Sequence, residues 1–397
     1  MGIDQLYQNL EKMKKLLMTL IILGLGSSAL AQTYNTFEPS KTQFMLRGYG
    51  HTGFEYLDTG GEQESTFLGA TFAPIFLYKH SDKLMFEAEL EFELEGNELK
   101  TGLEYADVMY VLNKHMTVRA GKFLLPFGTF MERLHPAWIN RLPSRPLGFG
   151  HDGIAPASDI GVELRGAFDL GGPKLNYAVY VTNGPRIKDG SEEPEEAGML
   201  DFGYYEDVNL AKALGGRIGL LPLSDSSMEW GISAYTTNST GAEDSDYKDV
   251  GAFLWALDLS YVKSITPLQG VVDIKAQYNS SNVDTATYYE IEDGISEPYS
   301  FDNQSSSFYT QLSYRPIMSG SDFMKQLEFV GRYSDFNAPE GAEWEEKSTQ
   351  YAFGLNYWLS WRSVVKFSYQ TTKMEGGHDS DGTTRTNGLF VHWAIGF

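Results

Sequence analysis

The stretch Leu84–Glu95 reads L-M-F-E-A-E-L-E-F-E-L-E, and from Phe86 onward apolar residues alternate with glutamates. Successive side chains of an extended strand point to opposite faces, so the glutamates share one face and the apolar residues share the other. A helix would mix the two sets. Because the carboxylates need water and the apolar row must be shielded from it, the stretch predicts a β-strand between an aqueous and an apolar environment.

Two kinds of sheet provide such environments: a soluble sandwich with one wet face, and a transmembrane barrel with lipid outside and water inside. The same alternation recurs along the chain, for example where Val162 and Leu164 flank Glu163, and where Ile274 lies between Asp273 and Lys275. Several central strands of a sandwich would carry little charge on either face. The recurrence therefore favours the barrel.

Composition narrows the class further. The chain has 397 residues, no cysteine and a net charge of −22 at pH 7. The lack of cysteine excludes a disulfide framework and a thiolate metal site. Phosphate binding needs a basic surface, so the acidic balance argues against nucleic acid as a partner. The 24 tyrosines and 24 phenylalanines suit the apolar outer face of a barrel wall.

The amino-terminal residues resemble a secretory signal. A lysine-containing segment is followed by an apolar run over 16–25 and by Ala29-Leu30-Ala31. This order predicts a signal peptide over 1–31, with cleavage before Gln32. Two acidic residues among the first twelve are unusual for such a signal, so translation is predicted to start at Met13.

After a short periplasmic lead over 32–43, residues 44–397 divide into sixteen alternating segments that turn residues separate. The connections alternate between short and long, and the long ones include 125–158, 184–212, 238–251, 280–305 and 374–386. This order is typical of an outer-membrane barrel, with short periplasmic turns and long extracellular loops. We therefore predict an all-β protein, a single antiparallel transmembrane barrel of about 16 strands in a bacterial outer membrane. Trp255, Trp358, Trp361 and Trp393 are candidates for its interfacial aromatic girdles.

Four short motifs resemble the phosphate-selective porin O and P family and related outer-membrane porins. They are G-K-F-L-L-P-F-G at 121–128, Y-A-V-Y-V-T-N-G at 177–184, F-Y-T-Q-L-S-Y at 308–314 and G-L-N-Y-W at 354–358, and the dipeptide Gly216-Arg217 adds to them. The resemblance implies a sixteen-stranded, homotrimeric diffusion channel whose long third loop folds into the pore. The last strand, which ends at Phe397, resembles the terminal-aromatic strand that the outer-membrane barrel assembly machinery recognises.

The third long loop carries Arg133, His135, Arg141 and Arg145, which we predict to lie at the pore constriction. Three guanidinium groups in a narrow aqueous passage would favour anions. The alternative is that they form salt bridges with carboxylates of the wall, such as the Glu87–Glu95 row. The remaining charges predicted to face the lumen are Arg47, Glu87, Glu89, Glu91, Glu93, Arg165, Arg217, Lys275, Arg315, Arg332 and Lys366.

These features predict a porin for passive diffusion of small hydrophilic solutes, with anions such as phosphate as candidates. Its other predicted partners are outer-membrane lipids. No hydrolase, P-loop or EF-hand motif is present and the histidines are scattered, so we expect no catalysis, no cofactor and no metal site. One alternative is a receptor or adhesin that binds a partner through loops 184–212 and 280–305. The other is an outer-membrane hydrolase, which would need a catalytic constellation at one rim.

Overall fold

The computed structural model describes residues 42–96, 98–150, 153–203, 206–292, 295–376 and 382–397. The predicted signal peptide, the start at Met13 and nearly all of the 32–43 lead lie outside these residues. The described chain contains twenty strands, numbered here in chain order. They are β1 Gln43–Thr59, β2 Glu62–Lys79, β3 Leu84–Glu95, β4 Glu98–Asn113, β5 Met116–Leu124, β6 Ser158–Asp169, β7 Lys174–Thr182, β8 Arg186–Ile187, β9 Leu200–Asp201, β10 Ala213–Leu221, β11 Met228–Thr237, β12 Ala252–Ile265, β13 Gly270–Val283, β14 Tyr288–Glu292, β15 Ile295–Tyr299, β16 Gln304–Arg315, β17 Leu327–Asn337, β18 Glu346–Ser360, β19 Ser363–Gly376 and β20 Thr383–Gly396.

Sixteen of these strands form one closed barrel in the order β1 to β7, β10 to β13 and β16 to β20. Each barrel strand pairs antiparallel with its neighbours, and β20 closes the ring against β1 with Tyr49 opposite Gly396. Gly48 and Phe397 exchange backbone hydrogen bonds of 3.1 and 2.8 Å at this seam. Closure removes exposed sheet edges. The prediction of a single antiparallel barrel of about sixteen strands is confirmed.

Exposure is inverted relative to a soluble protein. On the outer face, large apolar side chains such as Val162, Ile232 and Phe353 are exposed. On the inner face, charged side chains such as Glu163 and Arg217 are buried. This distribution is expected where lipid covers the outside and polar groups fill the inside. Among the described residues, no helix has the length and apolar character of a membrane span.

The four remaining strands form two small sheets inside long loops. Strands β8 and β9 pair within the loop 183–212, and β14 and β15 pair within the loop 284–303. The sequence did not predict them, because the two-residue strands β8 and β9 and the five-residue strands β14 and β15 are too short to show a clear alternation. The two loops also contact each other, since Asn303 Nδ2 donates to the Gly198 carbonyl at 2.8 Å. Both loops contribute side chains to one apolar cluster at the long-loop rim, which includes Ile187, Tyr288 and Phe301.

The prediction for one of the four tryptophans is wrong. Trp358 lies on the inner face, is 5% exposed and donates from its indole nitrogen to Glu328 at 2.9 Å. Trp361 and Trp393 are exposed, as an interfacial position requires. Trp358 is therefore part of the polar interior rather than of an aromatic girdle.

Candidate functional site

The long connection between β5 and β6, residues 125–157, folds into the barrel as predicted. Its first part crosses to the wall around β11 and β13. The Gly128 N–H donates to Ser233 Oγ at 3.0 Å, and the N–H groups of Thr129 and Phe130 donate to Gln277 Oε1 at 2.8 and 3.0 Å. Gly128 has φ +64°, and a Cβ there would lie 2.0 Å from Gln277 Nε2. Only glycine therefore fits this approach to the wall.

After a single π-helical turn at Phe130–Leu134, the loop runs along β17, β18 and β19. Lys366 Nζ donates to the Ala137 and Asn140 carbonyls at 2.5 and 2.7 Å. Asn356 Nδ2 donates to the Arg141 carbonyl at 2.8 Å. Arg332 similarly donates to the carbonyls of residues 144 and 145 at 2.9 and 3.0 Å. Wall side chains thus satisfy loop carbonyls that have no partner in a sheet.

Apolar contacts support the same docking. The rings of Phe130, Phe149 and Tyr309 pack edge to face, with centroids 5.1 to 5.7 Å apart. Leu142 is fully buried in a cluster with wall residues of β17 and β18. Trp138 packs beside Gly396, where a Cβ would lie 2.9 Å from its ring. The loop is therefore attached to the wall along most of its length.

Two of the loop arginines form ion pairs with the wall. Arg133 Nη1 lies 2.9 Å from Glu229 on β11. Arg141 lies 3.3 Å from Glu328 on β17 and 3.7 Å from Asp273 on β13. The arrangement corresponds to the salt-bridge alternative, although these carboxylates are not part of the Glu87–Glu95 row. Both guanidinium charges are consequently balanced at short range.

The other two predicted loop residues differ in exposure. Arg145 is exposed, and its guanidinium forms no ion pair with a residue that the structure describes. His135 is buried, and its imidazole Nδ1 bonds to the Met131 carbonyl one turn earlier. Of the four residues predicted for the constriction, Arg133 and Arg145 are therefore the most accessible to a solute.

A cluster of charges joins the loop helix to β5 and β6. Arg119 is buried and donates to Glu163, with its Nε at 2.9 Å. Arg165 donates to Glu132 of the loop helix, and its Nε lies 2.7 Å from Glu163. Sequence reasoning did not select Arg119 or Glu132. Arg119 shares strand parity with Thr117 and Gly121, so alternation alone could have placed it inside.

Glu132 is held in its charged form by this cluster. Burial acts to raise the pKa of Glu132, but the neighbouring Arg165 and Arg133 outweigh it, so the pKa lies below the usual glutamate range. The carboxylate is therefore ionised at neutral pH. It links the loop helix to the β6 wall through Arg165.

A second buried pair lies further around the wall. Arg217 is 3% exposed and donates to both carboxylate oxygens of Asp258, at 2.9 and 2.6 Å, and to Asn176 at 3.1 Å. Its Nη2 is also 3.0 Å from Glu229. A Cβ at Gly231 would lie 2.4 Å from Arg217 Nη2. The glycine therefore makes room for this bidentate pair.

The remaining predicted lumen cations occupy the turn side of the barrel or lie under the loop. Lys275 Nζ is 3.0 Å from Asp273 and donates to Ser260 at 2.6 Å. Arg315 donates to the Lys325 carbonyl at 3.1 Å. Arg47 is exposed near the start of β1. Arg332 and Lys366 are the loop anchors described above.

The predicted glutamates Glu87, Glu89, Glu91 and Glu93 share the inner face of β3. The strand register places Glu87 opposite Asp107 and Glu89 opposite Tyr105 on β4. Beside this wall lies a cavity of about 370 Å³, and a second cavity of about 350 Å³ lies toward β7. Both are lined by Glu132, Arg133 and Arg165, so the loop helix borders each of them. Among the described residues, no cluster of three or more possible ligands could hold a metal ion.

Comparison with known proteins identifies the fold. No protein-family model and no curated protein sequence matches the chain. The anion-selective porin from Comamonas acidovorans matches with a TM-score of 0.57 and 13% identity, over 90% of this chain and 100% of that one. The outer-membrane channel DcaP of Acinetobacter baumannii gives 0.56 and 11% over 93% and 100%. A trimer form of OmpT, an outer-membrane protein of Vibrio cholerae, gives 0.50 and 11% over 90% and 100%. The chain therefore has the fold of outer-membrane porins.

Proposed function

We propose that this protein is an outer-membrane porin through which small hydrophilic solutes diffuse passively. The observation that carries the proposal is a closed barrel with a charged interior and an apolar exterior, in which a docked loop narrows the lumen and leaves cavities beside it. Lipids would contact the outer face, and water and solutes the inner one. In this function the described side chains steer and sieve solutes and form no covalent intermediate.

Reconstitution in planar lipid bilayers tests the proposal. The purified, folded protein is expected to insert with discrete conductance steps that scale with the electrolyte concentration. Vesicles containing it should swell in small sugars and not in large ones. A folded protein that inserts yet conducts no ions would contradict the proposal.

An anion preference, with phosphate as one solute, is the alternative for the same channel. It is supported by the exposed Arg145 and by the structural similarity to a porin that is described as anion-selective. If the channel prefers anions, membership of the phosphate-selective porin O and P family becomes part of the same proposal. Reversal potentials before and after Arg133→Ala, Arg141→Ala and Arg145→Ala test it, because loss of an anion preference would assign these arginines that role.

Assembly is the remaining part of the proposal. The apolar outer face and the trimer form of the OmpT neighbour support a homotrimer, which the mass of the detergent-solubilised protein would test.

The ring of Phe397 stacks on Phe72, with centroids 5.8 Å apart, and its backbone completes the β1 seam. We expect recognition by the barrel assembly machinery to need this residue. Deleting Phe397 should therefore lower the amount of folded protein in the outer membrane.

A further inference from the structure

We infer that the channel favours cations over anions, and that the inner face of β3 and β4 sets this preference. The inference rests on the proposed diffusion function and names the charge class of the solutes. Glu87, Glu89, Glu91 and Glu93 follow one another at intervals of about 6.6 Å, twice the rise per residue of a strand. A cation passing along β3 therefore meets the half-buried or exposed Glu87, Glu91 and Glu93 in turn, with the buried Glu89 between the first two.

Two carboxylates of this wall are buried, and one of them, Asp107, lacks the hydrogen-bond donors that burial normally requires. Glu89 is 2% exposed and Asp107 is 1% exposed. The Glu89 carboxylate accepts from the Tyr49 and Tyr105 hydroxyls through one oxygen, whereas both carboxylate oxygens of Asp107 receive no hydrogen bond from the described part of the chain. Arg119 Nη1 is 3.8 Å from Asp107 Oδ2, which is an ion-pair contact only. A buried carboxylate without donors is costly unless a cation or water approaches it or it takes up a proton. The attraction of this wall for positive charge therefore rests mainly on the more accessible Glu87, Glu91 and Glu93.

Most cations of the lumen are engaged elsewhere, whereas the Arg145 guanidinium is exposed and forms no ion pair with a described residue. Arg119, Arg133 and Arg217 pair with carboxylates of β6, β11 and β12. Arg332 and Lys366 lie under the loop and bind its carbonyls. On the acidic wall itself, Lys100 is the residue opposite Glu93 in the strand register. Carboxylates therefore outnumber cations on the inner face of β3 and β4, although Arg119, Arg133 and Arg165 line the cavity between this wall and the loop.

A low-dielectric wall around an aqueous passage focuses the field of such a row. A potential of about one kT, at the low end of what clustered charges produce, enriches a monovalent cation by about 2.7-fold and depletes a monovalent anion equally. The expected permeability ratio of potassium to chloride is therefore about seven. Because the Debye length shortens from about 10 Å at 0.1 M salt to about 3 Å at 1 M, the ratio should fall as salt is raised.

The test measures reversal potentials of the full-length protein in a KCl gradient. The test variant combines Glu87→Gln, Glu91→Gln and Glu93→Gln, which are half-buried or exposed and keep the backbone and side-chain volume. The control variant removes the same number of charges from exposed long-loop positions by Glu192→Gln, Glu195→Gln and Glu340→Gln. Glu93→Lys alone, at an exposed position, is a second variant in case the triple substitution impairs folding.

Wild type and control are expected to favour potassium, and the triple variant to fall at least about twofold in permeability ratio. Glu93→Lys should shift the ratio in the same direction by a smaller factor. A conducting wild type that favours chloride, or a triple variant with an unchanged ratio, would overturn the charge preference while the channel function stood. A folded protein that gives no conductance would instead count against the diffusion function itself.

Discussion

Replacing Lys366 with methionine removes the ammonium group that holds the middle of the loop against β19. The side chain is 1% exposed, and its Nζ donates to the Ala137 and Asn140 carbonyls at 2.5 and 2.7 Å. Methionine has a similar length and no donor, so the variant removes the hydrogen bonds with little change in packing volume.

The magnitude follows from these contacts. A hydrogen bond with one charged partner contributes about 1.5–3 kcal/mol, and a carbonyl left buried without a donor costs about 1–3 kcal/mol. Relief of the desolvation cost of the buried ammonium offsets part of this loss. We expect docking of the loop to weaken by about 2–4 kcal/mol, which raises the undocked fraction by about 30- to 700-fold. Asn356 and Arg332 still hold the neighbouring carbonyls, so the loop should undock transiently rather than permanently.

Single-channel recording is the assay. Transient undocking widens the passage, so the Lys366→Met channel should show greater open-channel noise and brief steps to higher conductance. Lys373→Met is the matched control, because Lys373 is on the same strand but exposed and pairs with Glu375 at the long-loop end. If the folded Lys366→Met channel were as quiet as wild type, with the same conductance, the two hydrogen bonds would not be what holds the loop.

Three further predictions concern the charges and the backbone around the loop. Arg217→Ala leaves the fully buried carboxylate of Asp258 without its bidentate partner and should destabilise the barrel by about 3–5 kcal/mol, measured as a lower temperature of the folded-to-unfolded gel shift. The pKa of Glu132 in the folded protein lies below its unfolded value. Ionised Glu132 therefore stabilises the protein above the ordinary glutamate pKa, and this stabilisation is lost as pH falls through the lower folded value. Glu132→Gln should accordingly make the unfolding temperature depend less on pH in the acid range. Gly128→Ala forces a Cβ against Gln277 at positive φ and should destabilise the docked loop by at least about 1 kcal/mol, seen as increased open-channel noise.

The strands could be predicted from the sequence because their alternation is local. Phe86 to Glu95 reveals its two faces without reference to any other segment. The inward position of Trp358 was also available, since it shares parity with Asn356 and not with the apolar Phe353 and Leu355. Assigning tryptophan to the interface by residue type alone led to the error.

The partners of the loop could not be predicted in the same way. Arg133 and Glu229 are 96 residues apart in the chain, and their contact depends on the path of the loop and on the register of the strands between them. The roles of Arg332 and Lys366 as anchors also depend on the path of the loop. Their neighbours in the sequence do not distinguish them from cations that line the open lumen. A residue is buried under the loop only once the barrel has closed, so the sequence of a single strand cannot predict that burial.

Lumen cations can either hold the loop in place or act on a passing ion, and this difference affects how substitutions of the loop arginines are interpreted. Arg141 pairs with Glu328 and Asp273 and also lies over the Trp358 ring at 5.2 Å, so alanine there removes a charge and a loop contact together. Arg145 contributes its backbone carbonyl to the anchoring and leaves its guanidinium exposed, so alanine there changes mainly the charge. A shift in ion preference without added noise in Arg145→Ala would therefore report electrostatics alone. The same shift accompanied by the noise expected of Lys366→Met would instead report a displaced loop.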